Sequence, residues 1–197
     1  MTDNQSSGLP ATCSTAFKEW AVVCEALSEG AQTIILRKGG IHEGREGFRV
    51  QHSSFWLYPT NFHQTVEQLS ARAGDLLPKA QKRQPPAGEF HLRQLAVVDQ
   101  VIHLTGEQQA AALQDLHILS PATVHERFHY RQPGLFLLIV RVYRQDAPHI
   151  VRETAEMAGC KSWVELPEAF STAGLTAVLT DAEFAERKRA IAQAFAP

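Results

Sequence analysis

Six consecutive apolar residues, Leu135 to Val140, limit what this chain can fold into. They open the run Leu135–Arg144, which Pro133-Gly134 turns the chain into. A strand with no polar face belongs in the middle of a sheet covered on both sides. The apolar run is far too short to cross a bilayer. The 197 residues suffice for one domain with a sizeable core, and 44% hydrophobic with 20% charged residues is an ordinary globular balance.

The segments on either side supply what such a strand must pack against. Phe17, Trp20, Ala21, Cys24 and Leu27 recur at helical spacing and Gly30 stands at the C-cap position, which predicts a helix. The alternation Trp20, Val22, Cys24, Ala26 fits a strand as well. Short strands are predicted at Thr33–Leu36 and at Phe48–Tyr58, the second stopped by Pro59. Thr60 or Asn61 then caps a helix carrying Phe62, Val66, Leu69 and Ala73. Leu77 to Glu89, with Pro78, Lys79, Lys82, Arg83 and Pro85-Pro86-Ala87-Gly88, reads as a loop. Phe90–Leu104 is a strand or bent strand pair, and Thr105-Gly-Glu-Gln108 is a capping box opening a helix. Ser120-Pro121 opens a short helix to about Tyr130. Gly159–Leu166 adds a strand, and Thr180-Asp-Ala-Glu183 caps a terminal helix with Phe184, Ile191 and Phe195 inward. This order suits an α+β fold, a curled mixed sheet or small barrel flanked by helices, better than regular βαβ winding. The expected organisation is a disordered tail over residues 1–14, a core over 15–166 and a helical extension over 167–197 packed on that core.

Nineteen Lys and Arg against 21 Asp and Glu give a formal net charge of −2, which excludes nucleic-acid binding through bulk positive charge. Any such contact must come from a local patch. Cys13, Cys24 and Cys160 are odd in number and form no CxxC pair, a poor disulfide framework and a poor zinc site. That, with a polar N-terminal stretch lacking a signal-peptide pattern, predicts a cytoplasmic location and no membrane partner.

Polar groups cluster around the short strands and turns: Arg37, Lys38, His42, His52, Tyr58, Thr60, His63 and Gln64. Gly39-Gly40 would let backbone amides approach an anion. From Pro121 to Arg152 five arginines face only Glu126 and Asp146, a local balance of +3. Arg141 and Tyr143 share one side of a strand, so a cation and an aromatic project together. Lys161-Ser162-Trp163 adds a second such combination, and Cys160 would be a nucleophile only with a base beside it. These residues predict one basic groove in which Arg37→Ala with Lys161→Ala weakens nucleic-acid binding and leaves the fold intact.

Lys18-Glu-Trp20, Leu36-Arg-Lys-Gly-Gly-Ile41, Leu57-Tyr-Pro-Thr60 and His63-Gln64 form one part of a recurring pattern. Arg127-Phe128, Pro133-Gly134-Leu135, Arg141-Val142-Tyr143 and Gly159-Cys-Lys-Ser-Trp163 form the rest. Together they resemble the family catalogued as domain of unknown function 1802, over Phe17 to about Leu166. The family has no assigned reaction. Occurrence of relatives with restriction-nuclease-type domains implies work near nucleic acid, and association with nuclease components in a modification or defence system. Gly30-Ala-Gln-Thr-Ile-Ile-Leu-Arg37 is similar to the GxKxxExR signature of ASCH domains, which are PUA-like barrels associated with RNA. Gly30 and Arg37 match, while Gln32 and Ile35 stand at the Lys and Glu positions.

Two rival readings remain open. His125-Glu-Arg-Phe-His129 matches HExxH, in which two histidines one turn apart hold zinc and the glutamate is the general base. Glu153 or Glu156 would be the third ligand. Only about three helical turns fit before Pro133, and Arg127 sets a cation beside the supposed metal, so no cofactor is expected and the chain should purify without zinc. The other rival is a protein-interaction adaptor with no ligand site. A restriction-type nuclease centre is not supported, because neither Asp99 nor Glu165 has a lysine two residues on. No catalytic residue is picked out, and a nucleic-acid-binding module is the leading expectation.

Overall fold

A computed structural model describes residues 9–38, 52–61, 64–157, 159 and 162–196. The expectations placed on Gly39-Gly40, His42, His63, Cys160 and Lys161 lie outside the described residues.

Strand β1, Thr12–Trp20, runs without a loop into helix α1, Ala21–Ser28, and the short β2 follows at Ile34–Arg37. The helix expected from Phe17 therefore begins four residues later. Up to Trp20 the backbone is held in the sheet by Thr60 and its predecessors on one side and by residues 163–171 on the other. β3 is Ser54–Thr60 and keeps Pro59 inside it. β4 bonds β3 only over Ser54–Trp56, so the missing proline N–H takes nothing from that ladder.

The helix expected after Asn61 is replaced by two 3-10 turns, Val66–Gln68 and Ala71–Ala73. Here the backbone bonds a distant segment, Ser70 N–H to Ile118 O at 2.8 Å and Ser120 N–H to Gln68 O at 2.9 Å. The expected loop from Leu77 contains helix α2, Leu76–Lys82. Pro78 is its third residue, where no intrahelical partner for an N–H is missed. Its basic residues serve α1: Lys79 meets Glu29 at 2.8 Å, and Arg83 meets the buried Glu25 at 2.7 Å.

β4, Glu89–Leu104, and β5, Leu135–Arg152, form a long antiparallel pair that is the spine of the sheet. Between them lie α3, Glu107–Ala111, and α4, Pro121–His129. The side chain closing the start of α3 is Gln109, one residue past the expected box, with Oε1 accepting from Thr105 N and Gly106 N. Ser120 caps α4 with Pro121 at its first position, as the sequence predicts. β6, Trp163–Ser171, β7, Thr176–Ala177, and α5, Asp181–Ala194, complete the chain. β6 runs past the boundary expected at 166 and β7 pairs with β5, so residues 167–177 contribute to the sheet.

The strands form one open sheet in the order β2-β5-β4-β3-β1-β6, with β7 alongside β5. β1 and β3 are parallel and the other pairs antiparallel. This is the expected α+β class with a curled mixed sheet; it does not close into a barrel. Two irregularities bend the spine. Asp99 is an extra residue on β4 between Val98 and Gln100, and the four residues Gln145–Pro148 bulge from β5.

Alternate residues of β1 and β3 enter two hydrophobic clusters, Phe17 and Phe55 in one, Ala16 and Trp56 in the other. Leu135, Leu137, Leu138, Ile139 and Val140 all lie in the larger cluster, and each is 3% exposed or less. Both faces of β5 are thus covered. Ile139→Asp would bury an unpaired carboxylate and should abolish soluble expression, checked by yield in the soluble fraction. A normal yield and melting curve would contradict this packing.

His117 is buried within the segment that joins α3 to α4. Its Nδ1 accepts from Leu119 N at 3.1 Å, while Nε2 is buried with no partner. Burial, then the charges of Arg127 and Arg72, push its imidazole from the usual 6.5 down to about 4. Above pH 6.5 the ring is neutral folded and unfolded. Below it the unfolded chain takes up a proton that the folded chain excludes, so stability falls with pH by about 1.4 kcal/mol per unit. The loss levels off below about 4. His117→Gln should remove this slope, as read from urea midpoints at pH 7 and pH 5.

Candidate functional site

β1 brings Phe17 and Glu19 to one end of the sheet, beside the end of β2 and the start of β6. The Glu19 side chain is 1% exposed. Its carboxylate accepts from Trp20 N at 2.8 Å and from Arg37 Nη1 at 3.2 Å, and its carbonyl accepts from Thr60 Oγ1 at 3.2 Å. Arg37, the last residue of β2, also donates from Nη2 to Ser162 Oγ at 2.7 Å. Its guanidinium lies 4.6 Å over the Phe17 ring.

A second guanidinium completes the cluster. Arg127 leaves α4 to lie 4.3 Å over the Trp20 ring, with Nη1 donating to Leu36 O at 3.2 Å. Burial draws its pKa below the ordinary arginine value and the positive charge of Arg37 adds to this, while Glu19 opposes both. Two cations thus share one buried carboxylate, an excess of one positive charge. Each guanidinium lies over an aromatic ring, and its N–H edge bonds Glu19 and Ser162, or Leu36 O, within the protein. A phosphate or carboxylate is the ligand such an edge recognises.

Trp163 adjoins the cluster, its ring 4.6 Å from Phe17, 5.1 Å from Phe55 and 5.2 Å from His52. His52 Nδ1 lies 3.4 Å from Thr15 Oγ1. Gln64 Oε1 accepts from Val22 N at 3.0 Å and closes the start of α1, which has no side-chain cap of its own. Lys38 binds the carbonyls of Phe128 at 2.7 Å and Gly134 at 2.9 Å, and that of Gln132, so it holds the end of α4. On β1, Lys18 lies 5.3 Å from the Tyr58 ring and bonds the carbonyls of Gly159, at 2.9 Å, and Met157.

Of the residues expected to share a groove, Arg37, Ser162 and Trp163 are therefore together, with Lys38 and Gln64 bonded to neighbouring elements. Arg141 and Tyr143 are not with them. Arg37 pairs with Phe136 on β5, and Arg141 is five residues further on, about 17 Å at a strand's rise. The Arg141 guanidinium does lie 5.7 Å over Tyr143, as expected for one side of a strand, but Asp181 of α5 takes it at 2.5 Å. Sequence reasoning passed over Glu19, and it placed Arg127 in a local basic balance and beside a supposed metal but not beside Arg37. A carboxylate flanked by aromatics inside an apolar stretch, Phe17-Lys-Glu-Trp20, was the available signal.

Fold and site define an α+β domain whose mixed sheet carries, at one end, a buried carboxylate paired with one aromatic-backed arginine and in the field of a second. The chain belongs to the family described as "Domain of unknown function (DUF1802)", which it matches over residues 16–190. No curated protein matches it. Among solved structures it is similar to the crystal structure of ASCH from Zymomonas mobilis, at 11% identity and a TM-score of 0.44, covering 91% of this chain and 93% of that one. A tyrosine-to-phenylalanine mutant of that protein matches at 12% identity and a TM-score of 0.44, over 78% of this chain and 90% of that one.

The geometry corrects one expectation drawn from the sequence. Arg37→Ala cannot leave the fold untouched, because it strands the Glu19 carboxylate in the interior. The substitution should cost about 3 kcal/mol, and Glu19→Gln added to it should restore most of the loss. Urea midpoints of the two variants check this; equal losses would show that Glu19 draws nothing from Arg37.

Proposed function

We propose that the chain is a nucleic-acid-binding module whose contact surface is the end of the sheet around Arg37. The observation that carries this reading is the pair of guanidinium groups laid on Phe17 and Trp20, with one carboxylate between them and Trp163 beside them. A cationic edge backed by rings suits a strand of nucleic acid, which offers a phosphate and a base face at every residue. The net charge of −2 fits a module that relies on a few placed contacts and not on bulk attraction. The family resemblance to proteins found with restriction-type nucleases supports a place in a nucleic-acid modification or defence system, where this chain binds and a separate component cuts.

Binding to a mixed pool of RNA and single-stranded DNA, modified bases included, tests the proposal at low and rising salt. Weak binding that declines with salt is expected, because phosphate contacts release counterions. The variant Glu19→Gln with Arg37→Gln removes the guanidinium without stranding the carboxylate. It should weaken binding and lower the salt slope by about 0.7, the share of one phosphate on a single strand. Absence of wild-type binding at low salt would end the nucleic-acid reading, and unchanged binding by the variant would move the surface away from Arg37.

A further inference from the structure

α3 and α4 pack against each other and bring three metal-ligating side chains to one exposed spot. His125 and His129 are one helical turn apart, so their imidazoles leave the same face of α4, with ring centroids 4.5 Å apart. Glu107, the first residue of α3, reaches both. Its Oε1 is 2.5 Å from His125 Nδ1, and its Oε2 is 2.9 Å from His129 Nε2. One ligand atom from each of the three lies within 4.8 Å of the other two, the one such grouping among the described residues.

We propose that Glu107, His125 and His129 form a surface binding site for a divalent transition-metal cation of the zinc class. Two imidazoles and a carboxylate are the donors that zinc takes at a site keeping a fourth position for water. At zinc bond lengths of about 2.1 Å, tetrahedral donors stand about 3.4 Å apart, so the paired donors need to part by less than about 1 Å and the widest-spaced of the three, within 4.8 Å of one another, to close by less than about 1.5 Å.

The structure removes one obstacle that the sequence raised and replaces the expected third ligand. Arg127 stands between the histidines in the chain, but its guanidinium lies on Trp20 and bonds Leu36 O, directed into the cluster at the sheet's end. No cation of α4 therefore needs to share the site. The third ligand is not Glu153, whose Oε1 accepts from Tyr58 OH at 2.5 Å. It comes from α3, eighteen residues before His125, a pairing set by how the two helices pack and not by any motif spacing. A metal here would tie α3 to α4 near the end of α4 that Lys38 also holds.

Chelator-treated full-length protein titrated with Zn²⁺ in a calorimeter tests the site, with Mg²⁺ as the hard-cation control. One Zn²⁺ per chain is expected, with a rise in melting temperature and no response to Mg²⁺. Glu107→Gln should weaken Zn²⁺ binding about tenfold, and His125→Ala with His129→Ala should abolish both the binding and the thermal shift. All three side chains are solvent-accessible, and circular dichroism confirms that each variant is folded. Absence of Zn²⁺ binding by the wild type would overturn the proposal, as would binding that survives the double histidine substitution. Absence of binding would leave Glu107 as a hydrogen-bond partner of the two rings.

Discussion

Removing the Glu19 carboxylate from water obliges the chain to bring positive charge to it, because an unpaired ion in the interior costs several kcal/mol. The cation comes from β2 as Arg37, which then reaches across to Ser162 ahead of β6. Arg127 from α4 adds a second positive charge, whose pKa burial and the nearby Arg37 both lower. One buried ion thus links β1, β2, α4 and the approach to β6, elements spread from residue 19 to residue 162. These include both ends of the strand order, since β2 and β6 are the outermost strands. The rings of Phe17 and Trp20 make the arrangement specific by fixing the planes of the two guanidinium groups.

The sequence was most legible where a local pattern has one physical solution. The apolar run at Leu135 had to be a covered strand. Ser120-Pro121 and Thr180 with Glu183 had to open helices, and both do, the second with Thr180 Oγ1 accepting from Glu183 N at 3.3 Å. It was least legible where distant partners decided. Phe17 to Trp20 carries a helical pattern, but strand pairing with Trp163 and residues 57–60 takes its backbone. Residues 66–73 carry a helical pattern too, and backbone bonds to residues 118–120 break it into single turns.

The candidate site followed the same division. Arg37, Ser162 and Trp163 were picked out because polar and aromatic residues stood together in the chain, and they do meet. Arg141 was picked out on the same grounds and sits elsewhere, because charge counting along a segment cannot show that Asp181 of α5 takes it. Glu107 carries no motif that points to His125 and His129. That grouping exists only once two helices separated by Leu113–Ser120 have packed.

The parallel pairing of β1 with β3 and its antiparallel pairing with β6 also bear on the order of events during synthesis. β1 is made well before β6, yet one of its edges is matched only by Trp163–Ser171. Thr172 then ties off that edge through its bonds to the carbonyls of Pro10 and Ala11. At ordinary translation rates roughly 150 residues, or about 8 to 30 s, separate the two strands, and over that interval β1 presents unpaired backbone groups to its surroundings. The sheet therefore cannot be finished on the ribosome from its N-terminal half. Completion waits for β6, and in a crowded cell that interval is the period in which a chaperone has most to protect.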